Sequence, residues 1–214
     1  MKYGCLGCMS LLLLLAVVLL GGAAALFFGG AIFETPPLRK SDYSLSEGYR
    51  AQEKMFEIVL RDSGRSSRRD PIVITDRELS AFLARYLKES EGIPVSSIAV
   101  RLRPDIVEVQ GQTVFRDLFK GFPFHFLPDY LPTSTMDQQV WVTVHGTIEL
   151  GREKGRTSHK YGQLEVKEFS VGKQDIGPWL LSLLLGRERL RWPVPEIVET
   201  IKIQDGRIVI TAAR

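Results

Sequence analysis

Residues 98–109 read Ile98-Ala99-Val100-Arg101-Leu102-Arg103-Pro104-Asp105-Ile106-Val107-Glu108-Val109. Apolar and polar side chains alternate on both sides of a Pro-Asp step. A period of two sends successive side chains to opposite faces of a strand. One apolar face and one wet face is the pattern of an antiparallel sheet. The stretch therefore predicts a hairpin or meander from Val95 to Phe115, turning at Pro104-Asp105.

The same alternation continues downstream. Met136 to Leu150 predicts a strand, with Val140, Val142 and Val144 on one face and Trp141 and Thr143 on the other. A polar turn, Gly151 to His159, leads to a further strand through Leu164, Val166, Phe169 and Val171. The chain closes with Ile197 to Ile203, Gln204-Asp205-Gly206 and Arg207 to Thr211. Asp-Gly between alternating runs is a strong hairpin signal. Two segments interrupt this order. Asp117 to Pro132 crowds Phe119, Phe122, Phe124 and Phe126 among Gly121, Pro123, Pro128 and Pro132, which predicts an aromatic-rich loop. Pro178 to Leu185 predicts a short, very apolar helix containing Trp179, Leu180 and Leu183.

Upstream the period becomes helical. Thr75-Asp76-Arg77-Glu78 is a capping box, in which the Thr75 hydroxyl and the Glu78 carboxylate satisfy each other's backbone N–H. Leu79, Phe82, Leu83, Tyr86 and Leu87 follow at i, i+3, i+4, i+7 and i+8, an amphipathic stripe. A preceding helix, Ser46 to Asp62, carries Tyr49, Met55, Phe56, Val59 and Leu60 near one face. The order helix, helix, four strands, helix, two strands predicts an α+β domain, with a curved antiparallel sheet packed on a long amphipathic helix.

Ahead of this domain, Leu6 to Phe33 is 28 residues long without a charged side chain. About 20 apolar residues cross the hydrocarbon core of a bilayer, so the stretch predicts an N-terminal transmembrane helix with length to spare for tilt. A cleaved signal peptide is the rival reading, because Ala23-Ala24-Ala25 suits a signal peptidase. Cleavage there would leave Leu26-Phe27-Phe28 at the mature end, so an uncleaved signal anchor is preferred. Cys5 and Cys8 precede the apolar core, whereas a lipidated cysteine would follow it. The expected organisation is an anchor at 1–33, a linker at 34–45 and a domain at 46–214.

Lys and Arg near the two ends of the span give no clear vote on orientation. The very short N-terminal tail favours an N-in anchor, and the domain holds no cysteine, which suits an oxidising compartment. The expectation is a single-pass protein of the inner (cytoplasmic) membrane with its C-terminal domain extracytoplasmic.

Lys plus Arg number 28 against 25 Asp plus Glu. Such a balance speaks against a nucleic-acid-binding domain. The run Arg61, Arg65, Arg68, Arg69 reads as a solvated loop, or more sharply as a contact for anionic headgroups. Catalysis needs a nucleophile, a base and an oxyanion device. His125, His145 and His159 have no acidic or cysteine partner close in sequence, and neither a nucleophile elbow nor a phosphate-binding loop occurs. The carboxylates are dispersed, and Cys5-x-x-Cys8 lacks further ligands for zinc. No enzymatic activity, metal or cofactor is expected.

Three stretches carry a resemblance: Ile74 to Leu83; Phe169-Ser170-Val171-Gly172, followed by a proline and an apolar helix; and the closing Ile201 to Ile210 hairpin. Over residues 72–212 the chain resembles small bacterial membrane-anchored proteins of the YpmS-like and LmeA-type families, which are similar to tubular lipid-binding domains. It departs from them in its Phe-Pro-Phe loop and its Arg187–Arg191 basic stretch. The resemblance implies an extracytoplasmic apolar groove for a lipid or isoprenoid chain.

The expected function is accordingly lipid binding or handling in the cell envelope, with a non-enzymatic protein-binding scaffold as the alternative. The expected lining is Leu79, Phe82, Leu83, Phe122, Phe124, Phe126, Trp179, Leu180 and Leu183. Arg187, Arg189 and Arg191 are the expected headgroup contacts. Expected partners are the bilayer through residues 6–33, a lipid, and an envelope protein.

Overall fold

The computed structural model describes residues 29–36, 43–89, 95–119, 129, 132–153, 159–179, 181 and 190–212. The expected span up to residue 28, the Phe122–Phe126 segment, Leu180, Leu183, Arg187 and Arg189 lie outside the described residues. So do Cys5, Cys8 and His125. Among the described residues no helix is long and apolar enough to cross a membrane.

The chain forms α1 (Leu45–Asp62), β1 (Ile72–Thr75), α2 (Asp76–Glu89), β2 (Val95–Arg103) and β3 (Ile106–Val114). A 3-10 turn (Phe115–Phe119) and the short α3 (Thr133–Met136) precede β4 (Gln139–Arg152) and β5 (Lys160–Val171). β6 (Gln174–Asp175), β7 (Arg191–Pro193), β8 (Val198–Gln204) and β9 (Arg207–Ala212) complete it. The fold is α+β, and every strand pairing among the described residues is antiparallel.

There are two sheets where the sequence suggested one. The larger runs β2-β3-β4-β5-β6, with β7 also paired to β5. The smaller runs β1-β9-β8, so the closing hairpin pairs with a strand some 130 residues upstream, rather than with the main sheet. The turns of the two hairpins meet: Gly206 N–H donates to the Leu102 carbonyl at 3.0 Å, and Asp105 N–H to that of Ile203 at 3.2 Å. Both turn residues have positive φ, 60° at Asp105 and 71° at Gly206.

The capping box forms as written. Thr75 N–H donates to Glu78 Oε2 at 2.9 Å, and Glu78 N–H to Thr75 Oγ1 at 3.2 Å. Glu78 is buried and also accepts from Lys54 Nζ at 2.7 and 2.8 Å, tying α1 to α2. Burial pushes the Glu78 carboxyl up, but the Lys54 ammonium and the Thr75 N–H outweigh it and hold the group below its ordinary value. One turn on, the Ser80 hydroxyl donates to the Asp76 carbonyl at 2.7 Å and accepts from Val100 N–H at 2.8 Å. β2 is an edge strand, and this bond satisfies one of its outward amides.

Three apolar clusters hold the elements together. The first joins Ile98, Val100, Leu102 and Val107 to Ile203 and Ile208, with Leu79, Leu83, Ala84 and Leu87 of α2 against them. The second joins Val140, Phe169, Val171 and Leu181, with Ile32, Phe33, Phe115, Leu118 and Ile176 around them. The third sets Ala51 against Ile72 and Ile74, with Met55, Ile58, Leu79 and Phe82. Each fully buried Val, Leu, Ile or Phe contributes about 1.5–3 kcal/mol relative to exposure.

α1 does not bury the face that its large residues suggested. Its contact with α2 runs through Gly48 and Ala51, and a Cβ on Gly48 would sit 3.3 Å from the Ala81 backbone. Leu45, Tyr49, Phe56 and Val59 are left more than half exposed. Arg61 does not extend to solvent with the basic loop. Its guanidinium bonds Glu57 at 3.0 Å and the Asp70 carbonyl at 2.7 Å, folding residues 63–70 back onto α1.

Candidate functional site

Strand register arranges the main sheet in rows. Ile98, Gly111, Val142 and Val171 form one row, and Val100, Val109, Val144 and Phe169 the next. Leu102, Val107, Gly146 and Val166 form a third, and Ile148 pairs with Leu164 beyond it. These residues share the apolar face, because Cβ direction alternates along a strand. Side chains at the two margins are fully buried: Ile98, Val100, Leu102 and Val107 in the first cluster, Phe169 and Val171 in the second.

Between those margins the described residues are less deeply buried. Val109, Val142, Val144, Ile148, Leu164 and Val166 are each only half-buried. They are contiguous by register and lie where the first and second clusters adjoin. The sheet thus carries an apolar strip along β4 and β5, with α2 and the small sheet on one side and residues 32, 33, 115, 118 and 176 on the other. At its far end Leu150 pairs with Gly162, and the Trp192 ring lies against Gly162, where a Cβ would come within 2.5 Å of the indole.

The opposite face is polar. Arg101, Glu108, His145 and Glu168 stand side by side across β2, β3, β4 and β5. His145 Nδ1 is 2.7 Å from Glu168 Oε2, and Nε2 is 3.7 Å from Glu108 Oε1. His145 Nε2 is buried without a hydrogen-bond partner among the described residues, as is Arg101 Nη1. Gln110 and Thr143, both buried, bond at 3.3 Å in the neighbouring row. Glu165 lies further along, and the Lys167 ammonium 2.7 Å away holds its carboxyl below the ordinary value. Along this face carboxylates alternate with an imidazole and cations, and the Gln110–Thr143 pair is neutral. Among the described residues no group of three His, Cys, Asp or Glu side chains could hold a metal ion.

The sequence-derived lining is divided by the fold. Leu79 and Leu83 pack in the first cluster, and Leu79 also reaches the third. Phe82 packs in the third cluster and stacks on Tyr86 with ring centroids 5.7 Å apart. Leu79 and Leu83 therefore wall one side of the strip, while Phe82 faces α1 and β1 instead. Trp179 is 65% exposed and stands beside Gly177. Arg191 has protein partners: it donates to Gln163 at 2.9 Å and its guanidinium lies 4.8 Å over the Tyr161 ring. The strip residues themselves were visible in the sequence as strand alternation, but alternation does not tell a covered position from a half-covered one. His145 acquires its carboxylates through register, which no local spacing reveals.

The chain is an α+β protein with two antiparallel sheets, the larger of which carries a partly exposed apolar strip. No protein-family model matches it, and no curated protein matches it either.

Proposed function

We propose that this is a non-catalytic, membrane-anchored protein of the cell envelope that holds a lipid or isoprenoid chain along the strip between the two clusters. The observation that carries the reading is the contiguous half-burial of Val109, Val142, Val144, Ile148, Leu164 and Val166. Ligand sites are mostly apolar, with few polar groups. Each methylene removed from water contributes about 0.8 kcal/mol, so a long chain can be held here without a charged contact. The uncharged stretch Leu6 to Phe33 supplies the anchor, with the domain extracytoplasmic. The resemblance to YpmS-like and LmeA-type proteins points the same way.

Native mass spectrometry of the full chain, made in a lipid-containing host, tests this. A discrete lipid adduct is expected in the wild type and a several-fold weaker one in Val144→Asp, with the urea midpoint recorded to separate lost binding from unfolding. Bare wild-type protein after incubation with envelope lipids would sink the reading.

A second reading, a protein-binding scaffold, is favoured by one observation. Leu45, Tyr49, Phe56 and Val59 line one side of α1 and are 81, 54, 58 and 52% exposed. Exposed apolar patches mark partner surfaces. If it holds, Phe56→Asp loses an envelope cross-link and the lipid adduct is absent throughout.

A further inference from the structure

We infer that the end of the main sheet formed by Gly172, Lys173 and Trp179 rests in the headgroup layer of the bilayer. The inference builds on the anchored reading and specifies how the domain meets its membrane.

Residues 29–33, the last of the uncharged stretch, are helical and pack against the domain. Lys173 N–H donates to the Ala31 carbonyl at 2.8 Å. Gly172 makes this approach possible: its φ is 61°, and a Cβ there would collide with the carbonyl oxygens of Ala31 and Ile32. The Phe33 and Phe115 rings meet edge to face with centroids 5.3 Å apart. Ile32 and Phe33 pack on the Val140–Phe169–Val171 cluster, and Lys173 Nζ pairs with Glu34 at 2.7 Å. The chain passes from the uncharged stretch into the core of the domain within five residues.

The stretch is longer than a span needs. Read as a helix, the 28 residues of Leu6 to Phe33 measure about 42 Å at about 1.5 Å per residue, against a hydrocarbon core of about 30 Å. Shared between two headgroup layers of about 5–8 Å each, the excess of about 12 Å leaves the last residues of the stretch at headgroup level. Whatever contacts residues 31–34 is therefore held at that level. Trp179 lies in the chain between Ile176 and Leu181, both of the cluster that holds Ile32 and Phe33, and its indole is the most exposed of the three tryptophans. Tryptophan at headgroup depth is favoured, since its ring is apolar and its N–H is wet. Arg191 falls at the other end of β5, opposite Gln163, about eight residues or roughly 25 Å from Val171. The strip thus starts at the membrane and leads away from it.

The test uses the full chain in nanodiscs containing lipids brominated near the headgroup. Quenching of roughly a third of the emission is expected, one tryptophan of three, and it should vanish in Trp179→Phe but persist in Trp192→Phe. Trp179 is too exposed for its replacement to threaten the fold. Alkaline carbonate extraction is run alongside. A chain that is extracted overturns both the anchored reading and this inference. A chain that stays inserted, with equal quenching in wild type and Trp179→Phe, overturns this inference alone.

Discussion

Glu78 joins two structural tasks, and its replacement measures them separately. Its carboxylate accepts from Thr75 N–H at 2.9 Å and from Lys54 Nζ at 2.7 and 2.8 Å, in a position 6% exposed. Glu78→Ala removes the return arm of the capping box, about 1 kcal/mol. It also leaves Lys54 without its counter-ion. A fully buried orphan charge costs about 3–5 kcal/mol, but the Lys54 side chain is 36% exposed and water replaces part of the loss. The sum is about 2–3 kcal/mol. Glu78→Gln keeps volume and an acceptor for Thr75 and loses only the charge, about 1 kcal/mol. The sign with pH follows from the lowered carboxyl. The charged form is favoured by folding, so its contribution is complete above the ordinary carboxylate value and fades as pH falls through the lowered folded value. Urea unfolding of the detergent-solubilised chain, followed by tryptophan emission, should rank wild type above Glu78→Gln above Glu78→Ala at pH 7. The gap between wild type and Glu78→Gln should close in strong acid. Equal midpoints for wild type and Glu78→Gln at both pH values would refute the reasoning, because burial would then cancel the whole Lys54 attraction.

Ser80→Ala leaves the Val100 amide of an edge strand without its acceptor, and an orphaned buried donor costs about 1–3 kcal/mol. Amide hydrogen exchange should show Val100 losing protection before its strand neighbours do. Phe169→Ala empties the centre of the second cluster, where Phe169 is 1% exposed. A loss of about 3–5 kcal/mol is expected in the same urea assay. A loss below 1 kcal/mol would mean that the cluster collapses into the gap.

Local chemistry was legible wherever one element decides it. The Thr75–Glu78 box, the α2 stripe, the alternation of β2 to β5 and the Asp205-Gly206 turn are all set by residues within a few positions of each other. Features that depend on remote pairing were not. β1 is four residues long and exists because β9 pairs with it, Ile72 opposite Ile210. β6 and β7 are two and three residues long, too short to show a period, and both borrow β5 as a template. α1 misleads for a different reason. Its large apolar residues mark an arc, yet helices approach most closely over small side chains, and Gly48 and Ala51 carry almost no hydrophobic signal. The candidate strip was legible as strand faces and illegible as a site, because exposure is decided by what the rest of the chain leaves uncovered.

Burial is uneven across one sheet face. Phe169 and Val171 are closed off by side chains from residues 32, 33 and 176, and Val100 and Leu102 by α2 and the small sheet. Truncating any of them opens a cavity and costs stability directly. Val144 and Val166 lie in the same rows but keep part of their surface in water, so the protein alone gains less from them. On the proposed reading an apolar chain laid over the strip would complete their burial, and a ligand that binds only the folded state stabilises it by mass action. Substitutions on the strip should therefore lower lipid-dependent stability more than intrinsic stability, whereas substitutions at Phe169 or Leu102 should do the reverse. If both sets behave alike, the half-burial of the strip is merely a thin margin of the core, and the strip is not a binding surface.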